Sequence, residues 1–230
     1  MKAVKFILII IVFTITHIQL LSSDVNSDGI FGYFGMFPSF EFTYIDNSNI
    51  NKVLNSAELP TTNNLLVNFG FAYQMYFNQI IPTIAYNTST TISNHSTLHT
   101  EYTSFSINLG YDLLHTHRYW LYPYIGYKNC KINYQYNQKF EGETMEDFLS
   151  ANLISKELTN SRSHIDIGIG ASIQKLVMLN LRAGYLIPIE KVYWKTNNSL
   201  YEFKEAPKLN YKFYFIIAIG LGETTKDTWH

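Results

Sequence analysis

The stretch HIDIGIGASIQKLVMLNLRAGYLI, from His164 to Ile187, alternates between apolar and polar side chains, turns, and then alternates again. Alternation with a period of two residues is typical of β-strands, and the short connection between the two runs predicts a hairpin. One face of both strands is uniformly apolar, whereas the other carries Asp166, Asn180, Arg182 and glycines. This pattern indicates a strand whose outer face meets lipid and whose inner face lines a polar interior.

The same alternation recurs along the chain and predicts eight strands. Their connections are long and short in turn, with short ones near Asn78, at 115–118 and at 174–177. Short turns at one end and long loops at the other are typical of bacterial outer-membrane barrels. The predicted fold class is therefore all-β, an eight-stranded antiparallel up-and-down transmembrane β-barrel. The predicted strands cover residues 31–45, 65–77, 80–90, 101–114, 119–136, 164–173, 179–187 and 209–222.

The fifth predicted strand has the least regular pattern, because its apolar and polar positions exchange near Cys130. An extra residue in one strand produces such a change of phase, so we expect a β-bulge at this point. Cys130 is also the only cysteine. An intrachain disulfide and a cysteine-based metal site are thereby excluded, and we expect a small buried side chain.

The first residues resemble a targeting segment. Lys2 and Lys5 precede the apolar run 6–15, and the small residues Ser22 and Ser23 follow. This order predicts a cleaved signal peptide over residues 1–23, with an uncleaved anchor as the alternative. We therefore expect the barrel to cover residues 24–222 and a polar C-terminal tail to cover 223–230. The formal charge of −1 gives no indication of a nucleic-acid partner.

Aromatic residues are abundant, with 18 tyrosines and 16 phenylalanines. Many lie near the ends of the predicted strands, where outward-facing rings would form girdles at the membrane interfaces. The candidates at the long-loop end are Tyr44, Tyr86, Tyr134, Tyr136, Tyr193 and Trp194, and those at the short-turn end are Phe77, Tyr119, Trp120 and Tyr122.

The topology, together with the stretches YPYIGY at 122–127 and IGIG at 167–170, resembles the small outer-membrane barrels of the OmpA transmembrane-domain and OmpX type. The resemblance is to a porin-like architecture and implies a bacterial outer-membrane location, reached through a cleaved signal peptide. It also implies contact with outer-membrane lipid or lipopolysaccharide, and with the barrel-assembly machinery during insertion. Barrels of this type often end on an aromatic residue of the last strand, whereas this chain continues with the polar segment 223–230.

The inward faces of the predicted strands carry acids and bases in nearly equal number. An eight-stranded barrel is only wide enough to be filled by side chains, and buried charges must be paired. We therefore predict a structural charge network that plugs the interior, with a narrow ion path or gate as the alternative. Its members are Glu41, Asp112, Lys128, His164, Asp166, Arg182, Glu190 and Lys212.

Catalysis and metal binding find little support in the sequence. His164 and Asp166 share a face, but no nucleophile motif surrounds them. The histidines His115 and His117 flank a single residue in a short turn, and a metal site needs three or four ligands. We predict no catalytic, cofactor-binding or metal-binding residues and no cofactor.

The leading functional hypothesis is a non-enzymatic membrane anchor that displays long, polar loops for adhesion or for binding an extracellular ligand. Two alternatives remain open. The first is an outer-membrane enzyme that modifies lipid or peptide. The second is a soluble lipocalin-like carrier, which would need an apolar interior and a polar exterior.

Overall fold

The computed structural model describes residues 32–77, 79–92, 98–114, 119–137, 155–174, 178–189, 194–196, 202–203, 207, 209–220 and 222–225. These residues form eleven strands and one helix, α1 (Ser48–Ser56). The strands are β1 (Gly32–Asp46), β2 (Leu65–Phe77), β3 (Ile80–Ile92), β4 (Leu98–Tyr111), β5 (Tyr119–Asn137), β6 (Ser155–Gln174), β7 (Met178–Pro188), β8 (Trp194–Thr196), β9 (Glu202–Phe203), β10 (Asn210–Gly220) and β11 (Gly222–Thr225).

The long strands close into a barrel. Each of β1 to β6 pairs antiparallel with the next strand, and β10 pairs with both β7 and β1. The predicted eight-stranded antiparallel barrel is therefore confirmed. The predicted bounds of the second strand are those observed, and most of the others differ by a few residues. The described residues contain no helix that is long and apolar enough to span a bilayer.

A belt of exposed apolar side chains surrounds the lower part of the barrel, nearer the short turns. On β5 it runs from Tyr119 to Tyr127, about the nine to eleven residues that a strand needs to cross a bilayer. We call this surface the apolar belt. Its exposed members include Met36, Phe40, Val67, Phe69, Phe71, Ile84, Ile107, Leu109, Ile125, Ile167, Ile169, Ile219 and Phe213.

Beyond the belt, the outer faces of the two longest strands, β5 and β6, become polar, and the inner face of β5 becomes apolar. On β5 the outward residues become Lys131, Asn133 and Gln135, while Ile132 and Tyr134 are buried inside. The strand continues ten residues past Tyr127, or about 30 Å at the usual rise per residue. We call this upper part the loop-end section. Its outer face is polar, and its interior combines the apolar residues of β5 with Asn160 and Arg162 of β6.

The predicted bulge at Cys130 is wrong. The pairing of β5 with β4 and with β6 keeps one register from end to end, and Cys130 points inward with no break in the alternation. The polarity of the two faces changes there because the strand leaves the apolar belt, so what changes is the surrounding medium. The backbone itself stays regular.

A real irregularity occurs where β1 and β10 pair. The register shifts between Tyr44 and Ile45, so that Lys212 is the extra residue on β10. The shift reverses the faces beyond it. Tyr211, which the uninterrupted alternation places on the outer face, is consequently buried inside the barrel.

The helix α1 lies at the loop end and contributes to its core. Ile50 and Leu54 are buried, and the preceding residue, Asn47, is buried as well. The side chain of Asn51 fixes the segment between α1 and β2. It donates a hydrogen bond to the carbonyl of Thr62 and accepts one from the Thr62 amide at 2.9 Å.

Several residues predicted for the aromatic girdles are inside the barrel. Trp194 stacks on Tyr134 in the loop-end section, and Trp120 stacks on Tyr76 near the short turns. They occupy inward positions, where they fill the lumen. Tyr86 and Tyr119 do lie on the outer surface, and so does Phe77, whereas Tyr122 is buried, Tyr44 and Tyr136 are half-buried, and Tyr193 lies outside the described residues.

The chain ends with additional pairing near the short turns. Strand β11 pairs with Gly32–Gly35 of β1, so the first part of the predicted polar tail 223–230 is a strand. Residues 226–230 and the predicted signal peptide 1–23 lie outside the described part of the chain.

Candidate functional site

The most polar part of the interior is a cluster around Glu41. Its carboxylate forms an ion pair with Lys128 at 2.9 Å, and both side chains are fully buried. Thr43 donates to one carboxylate oxygen at 2.7 Å, and Asn87 donates to the other at 2.8 Å. The hydroxyl of Tyr102 donates to the first oxygen as well, at 3.2 Å. Because a buried charge is costly without such partners, this Glu41 cluster is a closed structural unit.

Lys128 links the Glu41 cluster to a second buried acid, Asp166. The ammonium lies 3.6 Å from the centre of the Tyr214 ring, which suits a cation–π contact. The hydroxyl of Tyr214 in turn donates to Asp166 at 2.6 Å, and Asn108 donates to the same oxygen at 3.0 Å. Glu41, Lys128, the Tyr214 ring and Asp166 therefore form a continuous series of contacts across the barrel.

Arg182 is the second buried cation of the central lumen, with 1% of its surface exposed. Its guanidinium makes no hydrogen bond to another described residue, although its charge acts on Asp166. The neighbouring Asn180 is fully engaged, since its amide lies within hydrogen-bond distance of Gln74, Tyr122 and Ser172. Together the two cations Lys128 and Arg182 balance the charges of Glu41 and Asp166.

His164 lies inside the barrel and has no partner suited to catalysis. It sits opposite Lys128 on the neighbouring strand, is fully buried, and packs edge-on against the ring of Tyr211. Neither ring nitrogen forms a hydrogen bond with a described side chain. Asp166 shares its face but is bonded to Tyr214, so the histidine lacks both an orienting carboxylate and a nucleophile.

The other predicted members of the charge network are not in the central lumen. Asp112 lies at the short-turn end, where it accepts hydrogen bonds from Tyr76 and from the amides of Leu114 and Leu121 at 3.2 Å. Lys212 lies at the belt's upper edge and pairs with Asp46 at 3.2 Å. Its predicted inward position is wrong because of the bulge in β10. Glu190 lies outside the described residues.

Aromatic rings fill the space between these groups. A Cβ atom at Gly170 would overlap the ring of Tyr122, and one at Gly168 would overlap the ring of Tyr124. These glycines are therefore needed for the close approach of the rings. The Tyr124 and Tyr214 hydroxyls lie 3.0 Å apart. Charges and rings together obstruct the lumen.

Sequence reasoning finds the charged members of the central cluster but not their neutral partners. Asn87, Tyr102 and Asn108 lie on inward faces that the alternation identifies, but nothing in the pattern marks them as partners of a given acid. Their separation from Glu41 and Asp166 in the chain is between 46 and 61 residues. Amides and hydroxyls on an inward face are the only available signal.

Metal binding has no geometric basis in the described ranges. They hold no group of three or more histidine, cysteine, aspartate or glutamate side chains that could ligate an ion. His99 pairs with Glu101 at 3.5 Å on the surface, and Cys130 is buried beside the Tyr102 hydroxyl. The predicted turn histidines His115 and His117 lie outside the described residues.

Comparisons with known proteins find barrels of the predicted kind. No family model and no curated protein matches the chain. Among solved structures, Ail, the attachment invasion locus protein of Yersinia pestis, in complex with the heparin analogue sucrose octasulfate, is 10% identical, with a TM-score of 0.48 and coverage of 84% of this chain and 99% of Ail. The outer membrane protein OprG from Pseudomonas aeruginosa is 9% identical, with a TM-score of 0.43 and coverage of 89% and 100%.

The outer membrane protease OmpT from Escherichia coli also matches, at 10% identity, a TM-score of 0.36 and coverage of 89% and 100%. The predicted resemblance to the architecture of small outer-membrane barrels is confirmed by the closed pairing of the eight long strands. The fold assignment rests on this pairing and not on matches with TM-scores below 0.5.

Proposed function

We propose that this protein is a non-enzymatic outer-membrane anchor that displays its loop end at the cell surface for adhesion or ligand binding. The observation that supports this most strongly is the reversal of polarity along β5 and β6. The same two strands are apolar outside within the belt and polar outside above it. Such a molecule is solvated correctly only when lipid surrounds one part and water surrounds the other.

The apolar belt supports the membrane location. Side chains such as Phe71, Ile125 and Tyr185 are more than half exposed, and they continue around the barrel. Soluble monomers rarely expose contiguous apolar patches of more than a few hundred Å². A soluble carrier would need the opposite arrangement, with an apolar cavity inside the belt, whereas the lumen there holds Lys128 and Asp166.

The filled lumen supports an anchor in preference to a pore or an enzyme. Glu41, Lys128 and Asp166 are neutralised by bonds that cross the barrel, and the rings of Tyr122 and Tyr124 occupy the remaining space. The candidate base, His164, is fully buried and has no nucleophile beside it. The candidate base in the described part of the lumen is thus not accessible to a substrate at the rim.

The loop-end section supports the display role. Its outward side chains on β5 and β6 are hydrogen-bonded in cross-strand pairs, such as Thr159 to Asn133 at 3.2 Å and Ser155 to Asn137 at 2.9 Å. We call these outward residues of β5 and β6 the loop-end wall. The two strands stay paired above the belt as far as Asn137 and Ser155, so the wall can present a binding surface away from the membrane.

Cysteine accessibility in intact cells tests the orientation. In a Cys130→Ala background, Asn133→Cys places a thiol on the wall, and Leu113→Cys places one beside a short turn. We expect a membrane-impermeant maleimide to label the first variant in intact cells and the second only after the outer membrane is opened. The reverse pattern, or equal labelling of both in intact cells, would contradict the proposal.

A loop exchange tests the binding role. Replacing residues 138–154 by a two-residue turn should leave the barrel heat-modifiable on gels, because the paired strands remain. If the loop carries adhesion, cells that express the variant should adhere less to mammalian cells or glass than cells that express the wild type. Unchanged adhesion, at equal surface levels, would contradict a role for this loop.

A further inference from the structure

A groove lies in the part of the apolar belt that the structure describes. Its volume is about 520 Å³, and its lining comes from β1, β2, β6, β7 and β10. Ala183 forms the floor because it is the short residue in a cross-strand row between Ile169 and Phe215. Tyr44 and Phe213, stacked with ring centroids 4.9 Å apart, lie at the upper edge. We call this depression the Ala183 groove.

A groove in a lipid-facing surface needs an occupant. An empty groove forfeits the dispersion contacts of its lining atoms, and water gains nothing from walls that offer it no hydrogen bonds. The groove is continuous with the belt that lipid chains cover. A flexible acyl chain is thus the group that fits its shape and chemistry.

A cation directly precedes a lining residue at the upper end of the groove. Lys212 directly precedes Phe213, and the bulge in β10 leaves its side chain 44% exposed at the belt's edge. It donates to Asp46 at 3.2 Å, but an ammonium has three donors. The other oxygen of Asp46 already accepts bonds from the hydroxyl and amide of Ser48. No other described residue accepts a hydrogen bond from Lys212, so two of its N–H groups can serve an anionic headgroup.

We propose that the Ala183 groove is a binding site for one phosphate-bearing membrane lipid, with an acyl chain over Ala183 and the phosphate at Lys212, and phosphatidylglycerol serves as the probe for it. The proposal rests on the proposed function in one respect, namely that the belt lies in a membrane. Lys212 would favour lipids with an anionic headgroup, and the small Ala183 side chain would leave room for one acyl chain. It would fix one lipid on the face formed by β6, β7 and β10.

Native mass spectrometry of the full barrel, released from nanodiscs of equal parts dimyristoylphosphatidylglycerol and dimyristoylphosphatidylcholine, tests the site. We expect one phosphatidylglycerol molecule to be retained by the wild type. Ala183→Phe fills the groove and should reduce this adduct about tenfold. The control Ala171→Phe adds the same ring to an outward position of β6 that does not line the groove, and it should retain the lipid.

Headgroup selection is tested with a second pair of variants. Lys212→Met should remove the preference for phosphatidylglycerol over phosphatidylcholine while leaving some lipid bound. Lys131→Met removes a cation from the loop-end wall and should change nothing. Asp46→Asn removes the competing carboxylate and should raise the phosphatidylglycerol adduct several-fold.

Three results would overturn the proposal. The first is that Ala183→Phe retains as much phosphatidylglycerol as the wild type, and the second is that the Ala171→Phe control loses as much as Ala183→Phe. The third is a lipid-free dimer of the wild type that Ala183→Phe abolishes, which would assign the groove to a second copy of the chain. Heat-modifiable migration in detergent shows for each variant whether the barrel is intact. A barrel that stays folded and monodisperse without detergent would contradict the proposed function itself, so the two failures are distinguishable.

Discussion

The belt section and the loop-end section belong to the same strands but differ in the polarity of their faces, most clearly along β5. Within the belt, β5 places Ile125 outside and Lys128 inside; a few residues later it places Lys131 outside and Ile132 inside. The backbone alternation is unbroken throughout. The difference teaches that alternation identifies the two faces of a strand, while the surrounding medium decides which face is apolar.

The largest expected effect compares two lysines on β5. Lys128→Met leaves Glu41 buried without its counter-ion, so we expect a loss of about 3–5 kcal/mol in the free energy of unfolding. Lys131→Met, on the outer wall, should change it by less than about 0.5 kcal/mol. Urea titration of the barrel refolded in liposomes measures both. Similar values for the two variants would break the distinction between inside and outside.

The double variant Glu41→Met with Lys128→Met sharpens the same comparison. It removes both charges, so it should recover much of the stability that Lys128→Met loses. A double variant as unstable as the single one would show that the loss comes from packing, independent of charge.

Two isoleucines of β5 provide the second comparison. Ile132 is fully buried in the loop-end core, and Ile132→Ala should cost about 2–5 kcal/mol through lost contacts and a cavity. Ile125 faces lipid, which fills the space that a smaller side chain leaves, so Ile125→Ala should cost less than about 1 kcal/mol. Equal costs in the same urea titration would mean that both residues have the same surroundings.

Arginine substitutions on the outer face form the third comparison. Ile125→Arg puts a charge into the apolar belt and should cost about 2–4 kcal/mol, whereas Asn133→Arg on the wall should be close to neutral. The free-energy cost of the arginine depends on its depth in the bilayer. The cost of Ile125→Arg should therefore differ between thick and thin lipid bilayers, which the same urea titration measures. A neutral Ile125→Arg would place that position in water.

The smallest expected effect concerns the filling of the lumen. Gly170→Ala brings a methyl group into the ring of Tyr122 and should cost about 1–3 kcal/mol through overpacking. The neighbouring Ala171 faces outward, so Ala171→Val should stay within about 0.5 kcal/mol of the wild type. If Gly170→Ala is neutral, the lumen is looser than the ring positions imply.

The barrel itself could be predicted because the membrane imposes the period of two on every strand. The predicted second strand has the observed bounds, and the opening hairpin pairs as its pattern suggests. The loop-end section was harder to read, because its reversed polarity resembles a slipped register. The supposed bulge at Cys130 came from that reversal.

The bulge at Lys212 in β10 could not be predicted from the sequence. Tyr211, Phe213 and Tyr214 are all aromatic, so the sequence does not show on which residue the alternation breaks, and Lys212 was assigned to the wrong side. In the lumen, the inward charges follow from alternation alone. The partners of these charges depend on which strands face each other across the barrel. Lys128 of β5 reaches Glu41 of β1 in this way, and a single sequence does not show which strands are opposite.

A spin-label scan of the outward positions of β5 tests the reversal of polarity most directly. Labels are placed at every second residue from 119 to 135 in a Cys130→Ala background in liposomes, and collisions with oxygen and with a water-soluble nickel chelate are measured. We predict high oxygen and low nickel accessibility through 127, then a change to high nickel accessibility between 129 and 131. A uniform profile along the strand would contradict the division of the barrel into a membrane section and a water-exposed section.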